Sequence, residues 1–285
     1  MRTKHKKTAF TIVELLTVMS IIVILISLLL PALNAAKRFS RVVLQKNQFR
    51  NIGSGLQIYE SDFDEYPDSD ALDADGVAYC GAMKLAEVMA GQDGLAFHLD
   101  SRLTNDGQDA GGTLLYPPNP SIDNLRSRKE YLERRDIQIC SLDDLYASPG
   151  TFSRTGEIAL LCDVFRSVRN LTTGRKMGMP VLYYRADTSR MSHDANDPTN
   201  TDNIYNYEDN HTFLGMGVPP SGPATHPLYA GGTVAGQVFY ENTLNKALEE
   251  ESGISRPYNK DSYILISAGW DGIYGTRDDV YNFKD

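Results

Sequence analysis

The feature that most constrains this chain is an apolar run close to its N-terminus. Within residues 15–33 the only polar side chains are Thr17, Ser20 and Ser27. In an α-helix this run would be about 28 Å long at ~1.5 Å per residue, which is enough to cross the hydrocarbon core of a bilayer. Glu14 stands at the beginning of the run, where a carboxylate is costly in lipid and usually has a partner and a function.

Two simple interpretations of this run leave something unexplained. A cleaved secretory signal fits the basic residues that precede the run, because Arg2, Lys4, Lys6 and Lys7 resemble a signal-peptide n-region. However, no small-residue cleavage site of the A-x-A type follows Leu33, and residues 34–38 continue as good helix formers. A plain uncleaved anchor accounts for the apolar run but gives no reason for Glu14.

The residues around Glu14 resemble a known signature. The sequence Ala9-Phe10-Thr11-Ile12-Val13-Glu14-Leu15-Leu16, with Pro31 later in the apolar run, is similar to the N-terminus of type IV pilins and type II secretion pseudopilins. In that family a prepilin peptidase cuts before the Phe on the cytoplasmic side, the new N-terminus is methylated, and the apolar helix is kept. The resemblance implies cleavage between Ala9 and Phe10, N-methylation of Phe10, and roles in assembly for Glu14 and Pro31. The family usually has Gly where this chain has Ala9.

The helix is predicted to continue beyond Pro31, which should kink or loosen it. Its second half has an apolar stripe with spacings of three, four and seven, formed by Phe39, Val42, Phe49, Ile52, Leu56, Tyr59 and Phe63. Pro67 in an acidic loop then prevents further helix. We therefore predict a leader over residues 1–9 and one long helix over 10–64. Its membrane span covers about 12–33 and its amphipathic half covers 34–64.

Residues 65–285 are predicted to form an extracytoplasmic globular head of the α+β class. Apolar runs at 157–162, 180–185, 263–267 and 280–283 indicate strands, and the last two should pair. Short helices are expected at 80–90, 127–136 and 243–251, and residues 231–240 are interpreted as a strand or loop edge. The resulting architecture is a long N-terminal helix with a head that contains antiparallel strands, as in pilins.

A Gly-rich acidic loop over residues 267–279 is the best candidate for a ligand site. Asp271, Asp278 and Asp279 bring three carboxylates into one loop, and Ca²⁺ prefers six to eight such oxygen ligands. The loop is similar to the C-terminal calcium loop of the major type II pseudopilin, which implies that these three side chains bind calcium. The alternative is a β-hairpin with a solvated turn at Asp271-Gly272, and Arg277 within the loop favours it.

Composition excludes several other classes of function. The formal net charge is −9, and removal of residues 1–9, which hold four basic residues and no acid, would make it −13. Such an acidic chain is not expected to bind nucleic acid, which requires a basic face. Cys80, Cys140 and Cys162 allow one disulfide with one thiol left over, but their spacing does not show which pair forms. The histidines lack zinc-site spacing, and no nucleophile or phosphate-binding fingerprint is present.

These observations predict a structural protein and not an enzyme. The resemblance implies a pilin-like subunit of a type II secretion pseudopilus or a type IV pilus-like filament, held by a single helix in the inner membrane with its head in the periplasm or outside the cell. Its partners would be sister subunits, the prepilin peptidase and the secretion or pilus assembly platform. The alternative is a membrane-anchored extracytoplasmic enzyme or ligand-binding protein, which a deep polar pocket in the head would favour.

Overall fold

A computed structural model describes residues 12–146, 152, 158–219, 225–229 and 231–284 of the chain. The predicted processing residues Ala9 and Phe10 lie outside the described residues. The chain divides into two compact units, Met1–Val43 and Leu44–Asp285. Helix α1 (Ile12–Phe63) supplies all the described residues of the first unit and the beginning of the second.

In the first unit, α1 is apolar on every side over residues 15–33. Its most hydrophobic window has a mean hydropathy of 2.8 and no buried residue, and it is the one helix in the described part of the chain that is long and apolar enough to cross a membrane. The hydroxyl groups of Thr17, Ser20 and Ser27 donate to the helix carbonyls three residues earlier, at 2.7–2.9 Å. These bonds satisfy the polar atoms within the helix, as a lipid environment requires. The predicted long apolar N-terminal helix is confirmed, and it includes Pro31.

In the second unit, one face of α1 is part of the core. The buried apolar residues on this face are Phe49, Ile52, Leu56 and Tyr59, all members of the predicted stripe. Two buried glutamines lie on the same face. Gln48 donates from Nε2 to the carbonyl of Cys162 at 2.9 Å, and Oε1 of Gln45 accepts from the N–H of Val164 at 3.0 Å. The glutamines thus give backbone groups at the end of a distant strand the hydrogen bonds that burial demands.

The remaining described elements are short helices and short strands. The helices are α2 (Gly81–Ala90), α3 (Ile122–Arg126), α4 (Leu142–Leu145), α5 (His211–Leu214), α6 (Thr233–Thr243) and α7 (Lys246–Ser252). The strands are β1 (Phe97–His98), β2 (Arg128–Lys129), β3 (Gln138–Ser141), β4 (Ala159–Cys162), β5 (Val168–Arg169), β6 (Lys176–Met177), β7 (Leu182–Arg185), β8 (Tyr263–Ser267) and β9 (Val280–Tyr281). Single 3₁₀ turns occur at Arg134–Asp136 and Tyr207–Asn210.

The strands form small antiparallel sheets. The largest has the order β7-β8-β9, with Leu182 opposite Ile266 and Ile266 opposite Tyr281. The predicted pairing of the last two strands is therefore confirmed, and β7 extends their sheet. Strands β1 and β2, β3 and β4, and β5 and β6 form two-stranded sheets. The fold is α+β, as predicted.

A disulfide and a buried carboxylate hold β4 in place. Cys140 of β3 and Cys162 of β4 form a disulfide, and Cys80 is a buried free thiol. Asp163, directly after β4, is fully buried. Its Oδ1 accepts from the N–H groups of Phe165 and Met179 at 3.1 and 3.2 Å, and its Oδ2 accepts from the hydroxyl of Ser267 at 2.8 Å. These bonds connect the end of β4 to the segments that lead into β7 and out of β8.

Two local predictions are wrong. Residues 127–136 form no α-helix and have a 3₁₀ turn only at Arg134–Asp136. The α-helix lies earlier, at α3, where Ser121 caps it by accepting from the N–H of Asn124 at 3.1 Å. Residues 231–240 are not a strand but largely belong to α6. Ala235 and Phe239, four positions apart, are buried on one face of α6, so its period is helical although it contains β-branched residues.

Candidate functional sites

The residues assigned to assembly lie at separate points on α1. Glu14 is in the first turn of the described helix, where its backbone carbonyl accepts from the hydroxyl of Thr17. Pro31 lies about 26 Å further along the axis at ~1.5 Å per residue. The structure therefore does not bring Glu14 and Pro31 into one site. Any common role must come from their separate positions on an apolar surface.

The C-terminal loop between β8 and β9 closes on itself through a glycine. Gly269 has a φ of +65°, and a Cβ there would lie 2.2 Å from the backbone oxygen of Asp278. Only glycine permits both this backbone conformation and this approach. The two ends of the loop therefore lie in close contact, at Gly269 and Asp278.

Hydrogen bonds from the loop itself occupy the oxygens of two predicted ligands. Oδ2 of Asp278 accepts from the N–H groups of Trp270 and Asp271 at 2.6 and 3.0 Å, and its Oδ1 accepts from the hydroxyl of Thr276 at 2.7 Å. Oδ1 of Asp271 accepts from the N–H of Ile273 at 2.8 Å, and its Oδ2 lies 3.1 Å from the hydroxyl oxygen of Thr276, whose single proton points to one carboxylate at a time and is closer to Asp278. Both carboxylates thus organise the loop in the way that Asx turns do.

The electrostatics of this pair are those of two close negative charges. Burial raises the pKa of Asp271, and the neighbouring charge of Asp278 raises it further. Burial also acts to raise the pKa of Asp278, but hydrogen bonds from Thr276, Asp271 and Trp270 outweigh it, so its pKa lies below its usual range. The loop therefore favours a negative charge at Asp278 and makes a second one at Asp271 less favourable than in an isolated side chain.

Asp279 differs from the other two because one of its oxygens is unsatisfied. Its Oδ2 accepts from the N–H of Gly275 at 2.7 Å and from the hydroxyl of Tyr281 at 3.3 Å. Its Oδ1 is buried and has no hydrogen-bond partner in the described part of the chain. Burial raises the pKa of Asp279 to about 8. A buried carboxylate oxygen without a donor is a position that a cation can occupy.

These residues match calcium in chemistry but are not arranged as a coordination shell. The loop offers carboxylates and one oxygen without a donor, which are hard ligands of the kind that Ca²⁺ prefers. Yet no group of three His, Cys, Asp or Glu side chains among the described residues is placed so that it could hold a metal ion. Calcium binding at Asp271, Asp278 and Asp279 therefore stays a prediction.

The sequence analysis missed a buried carboxylate in α2. Glu87 is 1% exposed and accepts from Tyr79 at 2.5 Å, Tyr116 at 3.0 Å and Gln92 at 3.0 Å, and also from Ser101. Burial raises its pKa, and these four donors act against that shift. All four donors come from the protein itself, so Glu87 has a structural role. Its signal in the sequence was a single acid on helix 80–90, in which Lys84 is the one other charged residue.

Comparisons of this chain with protein-family models, with curated proteins and with solved structures gave no match. The architecture itself is compatible with a pilin-like protein, because a long apolar N-terminal helix is followed in the chain by a unit with antiparallel strands.

Proposed function

We propose that this protein is a structural, pilin-like subunit of a type II secretion pseudopilus or a type IV pilus-like filament, processed by prepilin peptidase. The observation that carries the proposal is the part of α1 in the first unit, where the helix has exposed apolar side chains and a carboxylate in its first turn. Such a helix is stable in lipid before assembly, and among sister helices afterwards. A plain anchor needs the apolar side chains but not Glu14.

The second unit would lie outside the cytoplasm. Its disulfide between Cys140 and Cys162 supports this location, because disulfides persist in oxidising compartments and are rare in the cytosol. The proposed topology is a single pass through the inner membrane, with the leader in the cytoplasm and the second unit in the periplasm or outside the cell. Sister subunits, the peptidase and an assembly platform are the proposed partners.

Glu14 would direct assembly through its charge. After cleavage the methylated amine of Phe10 remains cationic. We propose that this amine pairs with the Glu14 carboxylate of a neighbouring subunit. Pairing removes the cost of a carboxylate in lipid, so it would favour docking and fix the register of adjacent helices.

Intact-mass measurement of the protein from its native host tests the processing. The mature chain should lack residues 1–9 and carry one additional methyl group. A full-length, unmodified chain would refute the proposal, because a filament subunit of this class needs the freed N-terminus.

The Glu14→Ala variant tests assembly. It should stay in the membrane, because the apolar run is unchanged, but should enter filaments poorly. Ser20→Ala is the matched control: it removes a polar group from the same exposed helix without changing charge. Normal incorporation of Glu14→Ala would show that Glu14 does not direct docking.

Calcium binding at the C-terminal loop is a second, separable part of the proposal. Asp271, Asp278 and Asp279 would hold the ion. Bound calcium would neutralise the repulsion between Asp271 and Asp278 and supply a partner for the buried Oδ1 of Asp279. The effect would be structural: the ion would join the end of β8 to the start of β9.

One observation favours a second function. The second unit contains a polar cleft of about 670 Å³, within the size range of ligand pockets in proteins. A membrane-anchored ligand-binding protein is therefore the alternative. Processing distinguishes the two functions, because a binding protein would work equally well with an intact N-terminus.

A further inference from the structure

The cleft of about 670 Å³ lies beside the 3₁₀ turn Tyr207–Asn210 and is strongly acidic. Eight carboxylate side chains and two guanidinium groups line it. We call it the acidic cleft and define it by Glu65, Asp68, Asp70, Arg185, Arg190 and Asp209. All of its lining residues belong to the second unit.

The two arginines of the acidic cleft already have carboxylate partners. Arg185 pairs with Glu65 at 2.7 Å, and Arg190 pairs with Asp187 at 2.7 Å. These pairs neutralise two of the eight carboxylates. The guanidinium groups therefore leave an excess of negative charge in the cleft.

The ammonium group of nearby Lys84 also has partners of its own. Its buried ammonium pairs with Asp68 at 2.5 Å and donates to the backbone carbonyls of Asp70 and Leu72 at 2.9 and 3.1 Å. An ammonium has three N–H donors, and these contacts use all three. Lys84 therefore has no donor left for another carboxylate of the cleft.

Asp209 is the deepest carboxylate of the cleft, with 2% of the residue exposed. Its Oδ2 accepts from the hydroxyl of Ser69, whose oxygen accepts in turn from the N–H of Arg185 at 2.9 Å. Its Oδ1 is buried and has no hydrogen-bond partner within the described residues. Asp70, which also lines the cleft but is exposed, has no ion-pair partner in the same part of the chain.

The surroundings of these groups make their charged forms costly. Burial raises the pKa of Asp209 well above its usual range, and the charges of Asp70 and Asp68 raise it further. Partial desolvation of Asp70 and the charge of Asp68 also raise the pKa of Asp70. A bound cation would reverse both effects.

We propose that the acidic cleft binds an alkylammonium group, which donates to Oδ1 of Asp209 and faces the carboxylate of Asp70. A point-charge ammonium fits better than a guanidinium, because Asp209 has one oxygen without a donor among the described residues and a guanidinium prefers two acceptors. A metal ion is a poorer fit, because no three ligating side chains in the described ranges are suitably grouped. The apolar Ile204 and Ala186 beside the cleft would contact the methylene stem.

Two sources present this chemistry: a lysine side chain of another polypeptide and a free diamine. The inference does not rest on the filament proposal, since either source could reach the second unit of an anchored monomer. The two sources are distinguished by the probes below.

Titration calorimetry of the full chain in detergent micelles tests the proposal. The probes are Nα-acetyl-lysine methylamide, which carries a lysine side chain without backbone charges, and 1,5-diaminopentane. Tetramethylammonium at equal ionic strength is the control, because it has the charge but no N–H donor. We expect saturable binding of at least one primary amine and none of tetramethylammonium. Tighter binding of the lysine derivative assigns the site to a partner chain, and tighter binding of the diamine assigns it to a free amine.

Substitutions place the binding in the cleft. Asp209→Asn should weaken amine binding by roughly tenfold or more, because it removes the buried charge. Asp202→Asn, at an exposed position shortly before the 3₁₀ turn Tyr207–Asn210, should leave it unchanged. Asp70→Asn, also at an exposed position, should weaken it by roughly threefold.

The proposal is overturned if neither amine binds saturably, or if tetramethylammonium binds as tightly as the amines. It is also overturned if Asp209→Asn, shown by its melting curve to be folded, binds as tightly as the unmodified chain. If Asp209→Asn does not fold, Asp70→Asn and the tetramethylammonium comparison decide, and unchanged affinity in Asp70→Asn counts against the cleft.

Discussion

Removal of the disulfide between Cys140 and Cys162 is the perturbation whose cost follows most directly from the structure. The two cysteines are separated by 22 residues, and both are buried. Cross-linking them limits the unfolded chain more than the folded one, in which β3 and β4 already pair. The double variant Cys140→Ala/Cys162→Ala should therefore fold but be less stable.

The loop-closure relation gives the magnitude. A loop of 22 residues corresponds to about 3.4 kcal/mol at 25 °C in the chain-entropy account of disulfides. For a unit of the size of Leu44–Asp285, this loss lowers the melting temperature by roughly 7–14 °C. Reduction of the unmodified protein should lower it by a similar amount, because reduction opens the same loop.

The assay is thermal unfolding of the full chain in detergent, followed by the fluorescence of Trp270, the only tryptophan. Each protein is measured with and without dithiothreitol. The unmodified chain should respond to the reductant and the double variant should not. Cys80→Ala is the matched control: it removes the third, buried cysteine but keeps the disulfide, so its response to reductant should persist.

Two results would refute this reasoning. The first is an unfolding midpoint of the unmodified chain that is the same with and without reductant. The second is alkylation of three free thiols, under non-reducing conditions, in protein from the native host. The second result would also remove the support that the disulfide gives to a location outside the cytoplasm.

Three further predictions concern stability. At matched ionic strength, the full chain should melt at a higher temperature in calcium than in chelator. The gain should be equivalent to about 2.7 kcal/mol at a hundredfold excess of calcium over Kd, and Asp278→Ala should lose most of it. Equal melting temperatures would support a plain hairpin. Burial lowers the pKa of His193 to about 4. As the pH falls from about 6.5 to about 4, His193 therefore takes up a proton in the unfolded chain but not in the folded one. The free energy of unfolding should fall by on the order of 3 kcal/mol over this range. His193→Gln should make that fall smaller, and an unchanged pH dependence would contradict the assignment. Ile52→Ala, at a fully buried position of α1, should lower the free energy of unfolding by roughly 2–5 kcal/mol. Ile58→Ala, at a 46% exposed position of the same helix, should change it by less than about 0.5 kcal/mol. Equal effects would mean that the face of α1 that holds Ile52 is not in the core.

The buried face of α1 was predictable because helical periodicity is a local property. Phe49, Ile52, Leu56 and Tyr59 recur at spacings of three and four, and they are the buried apolar residues of the helix. Gln45 and Gln48 were not predictable as core residues. Their burial depends on backbone groups more than a hundred residues away in sequence, and no local pattern reports such partners.

The misassigned α6 shows how a local pattern can mislead. Val234 and Val238 favour a strand by propensity, yet the packing of Ala235 and Phe239 selects a helix. Tertiary contacts outweigh so small a difference in propensity.

Asp209 shows the same limit for a candidate site. It lies in the polar segment 192–210, whose composition gives no sign of burial, and only the contact with Ser69, 140 residues away in sequence, shows that it is buried. In the C-terminal loop, composition indicated three neighbouring carboxylates. Which N–H group donates to which carboxylate oxygen could be seen only in the folded structure.

The compact unit that begins at Leu44 starts within a helix, not between elements. A truncated chain that begins at Asp64 would start directly after the end of α1, and it would lose part of the core of the second unit. Phe49, Ile52 and Leu56 would be missing, and the carbonyl of Cys162 would lose its donor. The space left behind would have the shape and hydrogen-bonding groups of one specific helix. A separate peptide of residues 44–63 should therefore bind that truncated protein and complete it, as a missing piece supplied in trans.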